Sequence, residues 1–157
     1  MQTKVDKNLC YKLQYLARLL ITDLNEEMKP YGVTQGQLPV LCCLWEDGGQ
    51  TQSELCEKIQ VEQPTMANTL RRMERDGLIQ RTPCDRDKRQ FRIHLTEQTR
   101  PSVAALQEKR DEVIARMTRK MSPEDQDTLH QLIDRAIDAL KNPGTNMESE
   151  GRKNEEL

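Results

Sequence analysis

Aromatic residues are nearly missing: one Phe, one Trp and three Tyr make up 3% of 157 residues. Sheets held by aromatic cross-strand pairs are therefore a poor fit, and helices must supply most of the core. Long apolar runs are missing too. None comes near the ~20 residues that a bilayer-spanning helix needs. The opening MQTKVDKNLC carries no signal-peptide core, so the expected location is the cytoplasm, away from membranes. There is no phosphate-cradling glycine loop, no nucleophile elbow, and no C-x-x-C or H-E-x-x-H spacing. The two histidines, His94 and His130, stand alone. These gaps argue against an enzyme. A zinc site would have to draw on Cys56, Cys84 and His94, whose spacing does not support one, so no metal and no cofactor is expected. The five cysteines read as free thiols in a reducing compartment.

What is present is charge, 32% of the chain, and it is segregated. Between Arg71 and Arg92 eight basic residues face four acidic ones, a local +4 in a chain of formal charge −2. The remainder must carry −6, an arrangement that suits one phosphate-facing surface on an otherwise acidic molecule. A solvated charge run is the competing reading.

The pattern around this stretch decides between them. TQSELCEKI places Leu55, Cys56 and Ile59 on one helical face, and Thr51 with Glu54 makes a T-x-x-E capping box. After VEQP comes a second helical pattern, TMANTLRRMERDG, with Met66, Leu70 and Met73 as its inward stripe and Gly77 as its stop. Two β-favouring runs follow, Leu78–Arg81 and Gln90–Leu95, joined by the charged turn PCDRDKR. Helix, turn, helix and charged hairpin is the order of a winged helix-turn-helix. The fold class expected is mainly α with a small β-wing, flanked by N- and C-terminal dimerisation helices.

The N-terminal half of a recognition helix reaches base edges, while arginines further along more often meet phosphates. Gln63, Thr65, Asn68 and Thr69 are therefore expected at or near bases, and Arg72 at either. Thr65 has a second reading, as a helix-capping hydroxyl. In the hairpin, Arg86 and Lys88 occupy the tip, where an arginine can enter a narrow A·T minor groove. Asp87 would repel phosphate unless paired, so Asp87 and Arg89 are expected to form a local clasp that stiffens the wing. Phe91, Ile93 and Leu95 alternate with Arg92 and His94, which predicts a one-sided second strand.

The flanks are helical. From Asn8 to Lys29 one stripe runs through Leu9, Leu13, Leu16, Leu20 and Leu24, with Tyr11, Tyr15 and Leu19 as a second beside it. Two stripes imply either two contacts, its own core and a partner subunit, or deeper seating in its own fold. Thr34 is placed as the N-cap of the apolar run LPVLCCLW, expected as core with Cys42 and Cys43; Tyr11, Tyr15 and Trp45 are expected as core too, with the lining of a ligand cleft between the dimer helices and the DNA-reading unit as their other reading. Beyond Thr96, Val103, Leu106, Val113, Met117 and Met121 outline another stripe, with Pro101 marking a kink or a late start. Ser122-Pro123-Glu124-Asp125 restarts a helix whose apolar face is Leu129, Leu132, Ile133, Ala136, Ile137 and Leu140. The domain reading is 1–34 as an N-terminal dimerisation helix, 35–96 as the DNA-binding winged helix, 97–141 as C-terminal dimerisation helices and 142–157 as a disordered tail.

These residues resemble the MarR family of winged-helix transcriptional regulators over Leu9 to Leu140. The stretches RRMERDGLIQR (Arg71–Arg81) and DRDKRQFRIHLT (Asp85–Thr96) carry the likeness. The resemblance implies a homodimer joined through terminal helices on a pseudo-palindromic double-stranded DNA site. It also implies a repressor released by a small-molecule inducer or by thiol oxidation. Under it, Asp87 and Arg89 match the wing motif, and Thr65, Asn68 and Thr69 lie at recognition positions. Thr99 departs from the family, many members having glycine there. NLCYKL (Asn8–Leu13) is similar to the segment bearing the reactive cysteine of the peroxide-sensing branch, which makes Cys10 a redox candidate. TQGQL (Thr34–Leu38), however, lacks that branch's tyrosines, and a small apolar residue on a helix is the other reading of Cys10. Cys84, expected to be the most exposed thiol because it lies in the wing, is a second redox candidate. Outside this reading, a winged helix used only as a protein-interaction module is the alternative.

Overall fold

The computed structural model describes residues 7–144, and the segment TNMESEGRKNEEL of the expected tail lies outside them. A 22-residue helix, α1 (Lys7–Met28), is followed by a 3-10 turn over Lys29–Tyr31 and then α2 (Leu38–Glu46). The helix-turn-helix is α3 (Gln52–Ile59) and α4 (Gln63–Arg75), and the wing is β1 (Ile79–Pro83) with β2 (Phe91–Leu95). Two further helices close the order, α5 (Ser102–Thr118) and α6 (Pro123–Lys141). Among the described residues, those up to Met117 form one compact unit and those from Thr118 a second.

The core of the first unit gathers one face from each element. Leu38, Val40, Leu41 and Leu44 come from α2, Leu55 from α3, and Met66, Leu70 and Met73 from α4. Leu78, Ile79, Ile93 and Leu95 come from the wing root, and Val103 and Leu106 from α5. Met28 is the one residue of α1 buried outright, with Leu24 packed beside the cluster. Two ion pairs from Arg116, to Glu27 at 3.0 Å and Asp23 at 3.7 Å, tie α5 to α1.

Local chemistry explains the boundaries. The expected capping box forms: Thr51 Oγ1 accepts the Glu54 amide at 3.2 Å, and the Glu54 carboxylate accepts the Thr51 amide at 2.8 Å. At the end of α4, Gly77 takes φ +74°, so the Leu78 amide reaches the Met73 carbonyl at 2.9 Å and the Gly77 amide the Glu74 carbonyl at 3.1 Å. That closure turns the chain directly into β1. Pro101 produces the late start, since α5 begins at the next residue. Thr99 takes the place of a glycine without strain: its φ is not positive, and its hydroxyl lies 2.9 Å from that of Thr96. In the second unit, Ser122 and Asp125 form a capping box at the head of α6.

Four expectations are corrected. Thr34 is not the cap of α2; Gln37 is, and its Oε1 accepts the Thr34 amide at 3.0 Å. With Pro39 able to sit only in a first turn, the helix starts later than the apolar pattern suggests. Trp45 is not core, being 38% exposed beneath the Arg100 guanidinium, which lies 5.9 Å from the ring centre. Tyr11 and Tyr15 are exposed at 69% and 58% on a part of α1 that nothing in the first unit covers. Cys42 and Cys43 are only half-buried, although both pack against the core.

Candidate nucleic-acid interface

Helix α4 carries its apolar stripe inward so completely that Met66, Leu70 and Met73 are buried to within 1%. The opposite face is thereby fixed. Thr65, Asn68 and Arg72 follow one another at i, i+3 and i+7 along it, and all three are exposed. Helix α4 is capped by Glu62 without a side-chain bond, so Thr65 is not the cap, and its exposed side chain is available for contact. Asn68 Oδ1 accepts from Arg71 Nη1 at 2.8 Å. Bidentate reading of an adenine by Asn68 would release that arginine. Thr69 is half-buried and donates its hydroxyl to the Thr65 carbonyl at 3.0 Å. Gln63 is held from behind by α3: Gln52 Nε2 donates to its Oε1 at 2.9 Å, and its own Nε2 donates to Ser53 Oγ at 3.3 Å. These partners were not picked out in the sequence. Polar residues on α3 that brace the first turn of α4 have no local pattern, because the two lie ten or eleven residues apart.

The wing is braced at its root and at its tip. Five residue pairs run antiparallel from Ile79↔Leu95 to Pro83↔Phe91. Gln50 adds a bridge to Ile93, and Arg92 Nη1 donates to the Gly49 carbonyl at 2.6 Å. Phe91 departs from the expected inward alternation and is exposed, because at the far end of β2 the core has run out. At the tip the Asp87 carboxylate accepts the backbone amide of Arg89 at 3.0 Å, and the Asp87 carbonyl accepts the Gln90 amide at 3.0 Å. Asp87 thus holds the backbone of Arg89 and leaves its guanidinium outward.

The eight basic residues divide into two groups. Arg75 pairs with Asp76 at 2.9 Å and Arg81 with Glu74 at 3.0 Å, while Arg71 and Arg92 are held by Asn68 and Gly49. Arg72, Arg86, Lys88 and Arg89 make no ion pair among the described residues, and all four are exposed. Positive charge without a partner is thus concentrated on the outward face of α4 and at the wing tip.

Cys84 is the clear correction. It is 8% exposed, not the most exposed thiol, because the turn after β1 folds over it. Backbone amides of Arg86 and Asp87, with Arg92 nearby, hold its thiol below the usual cysteine range. Cys10, by contrast, is exposed on α1 and accepts from Gln14 Nε2 at 3.3 Å. Burial pushes the Cys43 thiol up, as it does that of Cys56. Among the described residues no group of three His, Cys, Asp or Glu side chains gathers as a metal site would require. Nor is any of their helices long and apolar enough to cross a membrane.

Comparison with known proteins agrees with this geometry. The model of the MarR family matches residues 33–91. An uncharacterized HTH-type transcriptional regulator of Bacillus subtilis, YwoH, is 35% identical over 94 residues, covering 60% of this chain and 68% of that protein. The structure of the S. aureus MepR–DNA complex superposes with a TM-score of 0.77 at 23% identity, over 83% of this chain and 96% of that one. A mutant MarR of E. coli complexed with operator DNA gives 0.75 at 21% identity, over 83% and 94%.

Proposed function

The chain belongs to the MarR family of transcriptional regulators, and we propose that it acts as a homodimer on a pseudo-palindromic operator, repressing until an inducer or thiol oxidation releases it. The observation that carries this reading is the set of four unpaired cations, Arg72 on α4 and Arg86, Lys88 and Arg89 at the wing tip. A recognition helix in the major groove and a wing tip over the adjacent minor groove would use them together. Thr65 and Asn68 read base edges, and Gln63 and Thr69 lie at or near bases beside them. The clasp of Asp87 on the Arg89 backbone keeps the tip presented to phosphate and groove.

The dimer follows from apolar surface. Leu9, Leu13, Leu16 and Leu19 of α1 are each about half exposed, as are Leu132, Ile133 and Ile137 of α6. Leaving so many large apolar side chains in water is costly, and a second copy offers the same stripes in return. A two-fold dimer sets two recognition helices about one helical turn, or ~10 base pairs, apart. Such a regulator works in the cytoplasm, where its thiols stay reduced until challenged. Cys10 is the accessible sensor, and Cys84 is a shielded thiol whose oxidation would deform the wing from beneath.

Fluorescence anisotropy with DNA from upstream of the gene itself tests the reading. Expected is tight binding that weakens steeply with salt and a footprint over two half-sites. A single half-site held by a monomer would overturn the dimer. Adding an organic hydroperoxide to the native protein and to Cys10→Ser separates the inducers. Loss of binding only with Cys10 present makes it a thiol switch, and indifference to peroxide assigns release to a small ligand.

A further inference from the structure

We propose that the N-terminal turn of α2 and Arg72 of α4 form one anion pocket, which takes a phosphodiester of the bound DNA just outside the groove that α4 enters. It rests on the operator-binding reading and adds an element, α2, that the reading does not use. A cavity of about 440 Å³ lies where the loop before α2 meets α4, lined by Thr34, Gly36, Gln37, Thr69, Arg72 and Arg75, with Asp76 at its edge.

Several independent features make it a site for negative charge. Helix α2 has no acidic residue in its first turn, and its leading amides, with Pro39 contributing none, lack partners within the helix. Gln37 is only 6% exposed, and its Oε1 is taken by the Thr34 amide. Its Nε2 has no hydrogen-bond partner among the described residues and is open to solvent, so a donor is left over at the wall of the cavity. Arg72 brings an unpaired guanidinium to the same wall. Asp76 is neutralised by Arg75, at 2.9 and 3.3 Å, so the rim does not repel an anion. Gly36 leaves open space, with nothing within 4 Å of an added Cβ, and a phosphate can approach the backbone there.

Position selects the source of the anion. Arg72 stands just over one helical turn beyond Asn68 on the same face of α4, about 6 Å further along the axis. With Thr65 and Asn68 at base edges, Arg72 and the head of α2 meet the strand backbone. Arg72 is thereby assigned to phosphate, not base, and Gln37 becomes a binding residue hidden inside a helix cap.

Two variants and one titration test this. Arg72→Gln removes the exposed cation. Gln37→Glu keeps an oxygen for the Thr34 amide and turns the leftover donor into a carboxylate. In both, the slope of log affinity against log salt for the dimer should flatten by about 2, from two contacts of about 0.9 each. Affinity for operator and for scrambled DNA should fall by the same factor. A slope like the native one in Arg72→Gln overturns the proposal, as does a fall for operator alone, which would mark Arg72 as a base reader. If Gln37→Glu does not fold, the surface variant Arg72→Gln still decides. Absence of salt-dependent operator binding by the native protein would instead sink the operator reading itself. Inorganic sulfate titrated into the free protein, followed by the amide signals of Gly36 and Leu38, is expected to shift both in an Arg72-dependent way. Shifts with sulfate together with an unaltered DNA slope would mean that the pocket holds a free anion, and would overturn the phosphodiester.

Discussion

Helices α1 and α4 bear the same kind of apolar stripe but end in opposite environments. In α4 the stripe Met66, Leu70 and Met73 is buried almost to the last square ångström, because α3, α2 and the wing root close over it. In α1 an equally regular stripe through Leu9, Leu13 and Leu16 stays exposed, and burial begins only near Leu24 and Met28. Periodicity states which face seeks cover; it does not state which chain supplies it. A stripe satisfied at home holds the recognition helix in its unit, and a stripe left open is the surface the proposed dimer would use.

Substitutions can break that contrast. Leu70→Ala should cost the most, roughly 2–5 kcal/mol for a buried leucine, seen as a large drop in thermal midpoint. A change below about 1 kcal/mol would mean that the α4 seam is not the core it looks to be. Leu13→Asp should leave the folding signal of each chain largely intact and shift sedimentation from dimer to monomer mass. A dimer that persists with Leu13→Asp would move the interface off α1. Thr51→Ala removes the capping box and should cost about 1 kcal/mol in chemical denaturation, with DNA specificity unaltered. Asp87→Ala is of similar size, about 0.5–1.5 kcal/mol from one lost hydrogen bond, read as weaker DNA binding without change of base preference.

The thiols sharpen the same contrast by pH. The Cys84 pKa is lowered, so its thiolate contributes stability in the alkaline range that is lost as pH falls through the folded value. Cys43 is raised, and its neutral form persists to higher pH than in the unfolded chain. Timed alkylation with mass spectrometry should find Cys10 modified first, on exposure alone. With single-cysteine variants, the pH midpoint for Cys84 should lie below that for Cys43, and the reverse order would contradict the amide cradle around Cys84.

Much of the frame was legible because its signals are local. The Thr51–Glu54 box, the stop at Gly77, the inward stripe of α4 and the restart at Ser122 each need only four to eight neighbouring residues to be read. What escaped depends on distant chain. Cys84 looked exposed because it lies in a charged turn, yet burial is decided by how that turn folds back. Tyr11 and Trp45 looked like core from their apolarity, but nothing in the first unit covers Tyr11, and Trp45 lies at the surface with only the Arg100 guanidinium over its ring. Thr34 looked like the cap of α2 because a hydroxyl precedes the apolar run, and only the bond that Gln37 accepts from the Thr34 amide shows where the helix begins.

The seating of the wing carries one more consequence. The hairpin itself joins neighbours in sequence, but Arg92 reaches back 43 residues to the Gly49 carbonyl, and Ile93 pairs with Gln50. Closing a loop of that span costs entropy that local pairing does not. The hairpin can therefore zip early while its docking waits on the α2–α3 connection. Gly49 is the gate of that step, with φ +75° and the His94 ring 2.9 Å from where a Cβ would stand. Gly49→Ala should mainly speed unfolding and leave refolding little changed, as expected if the wing docks late and separably in the order of assembly.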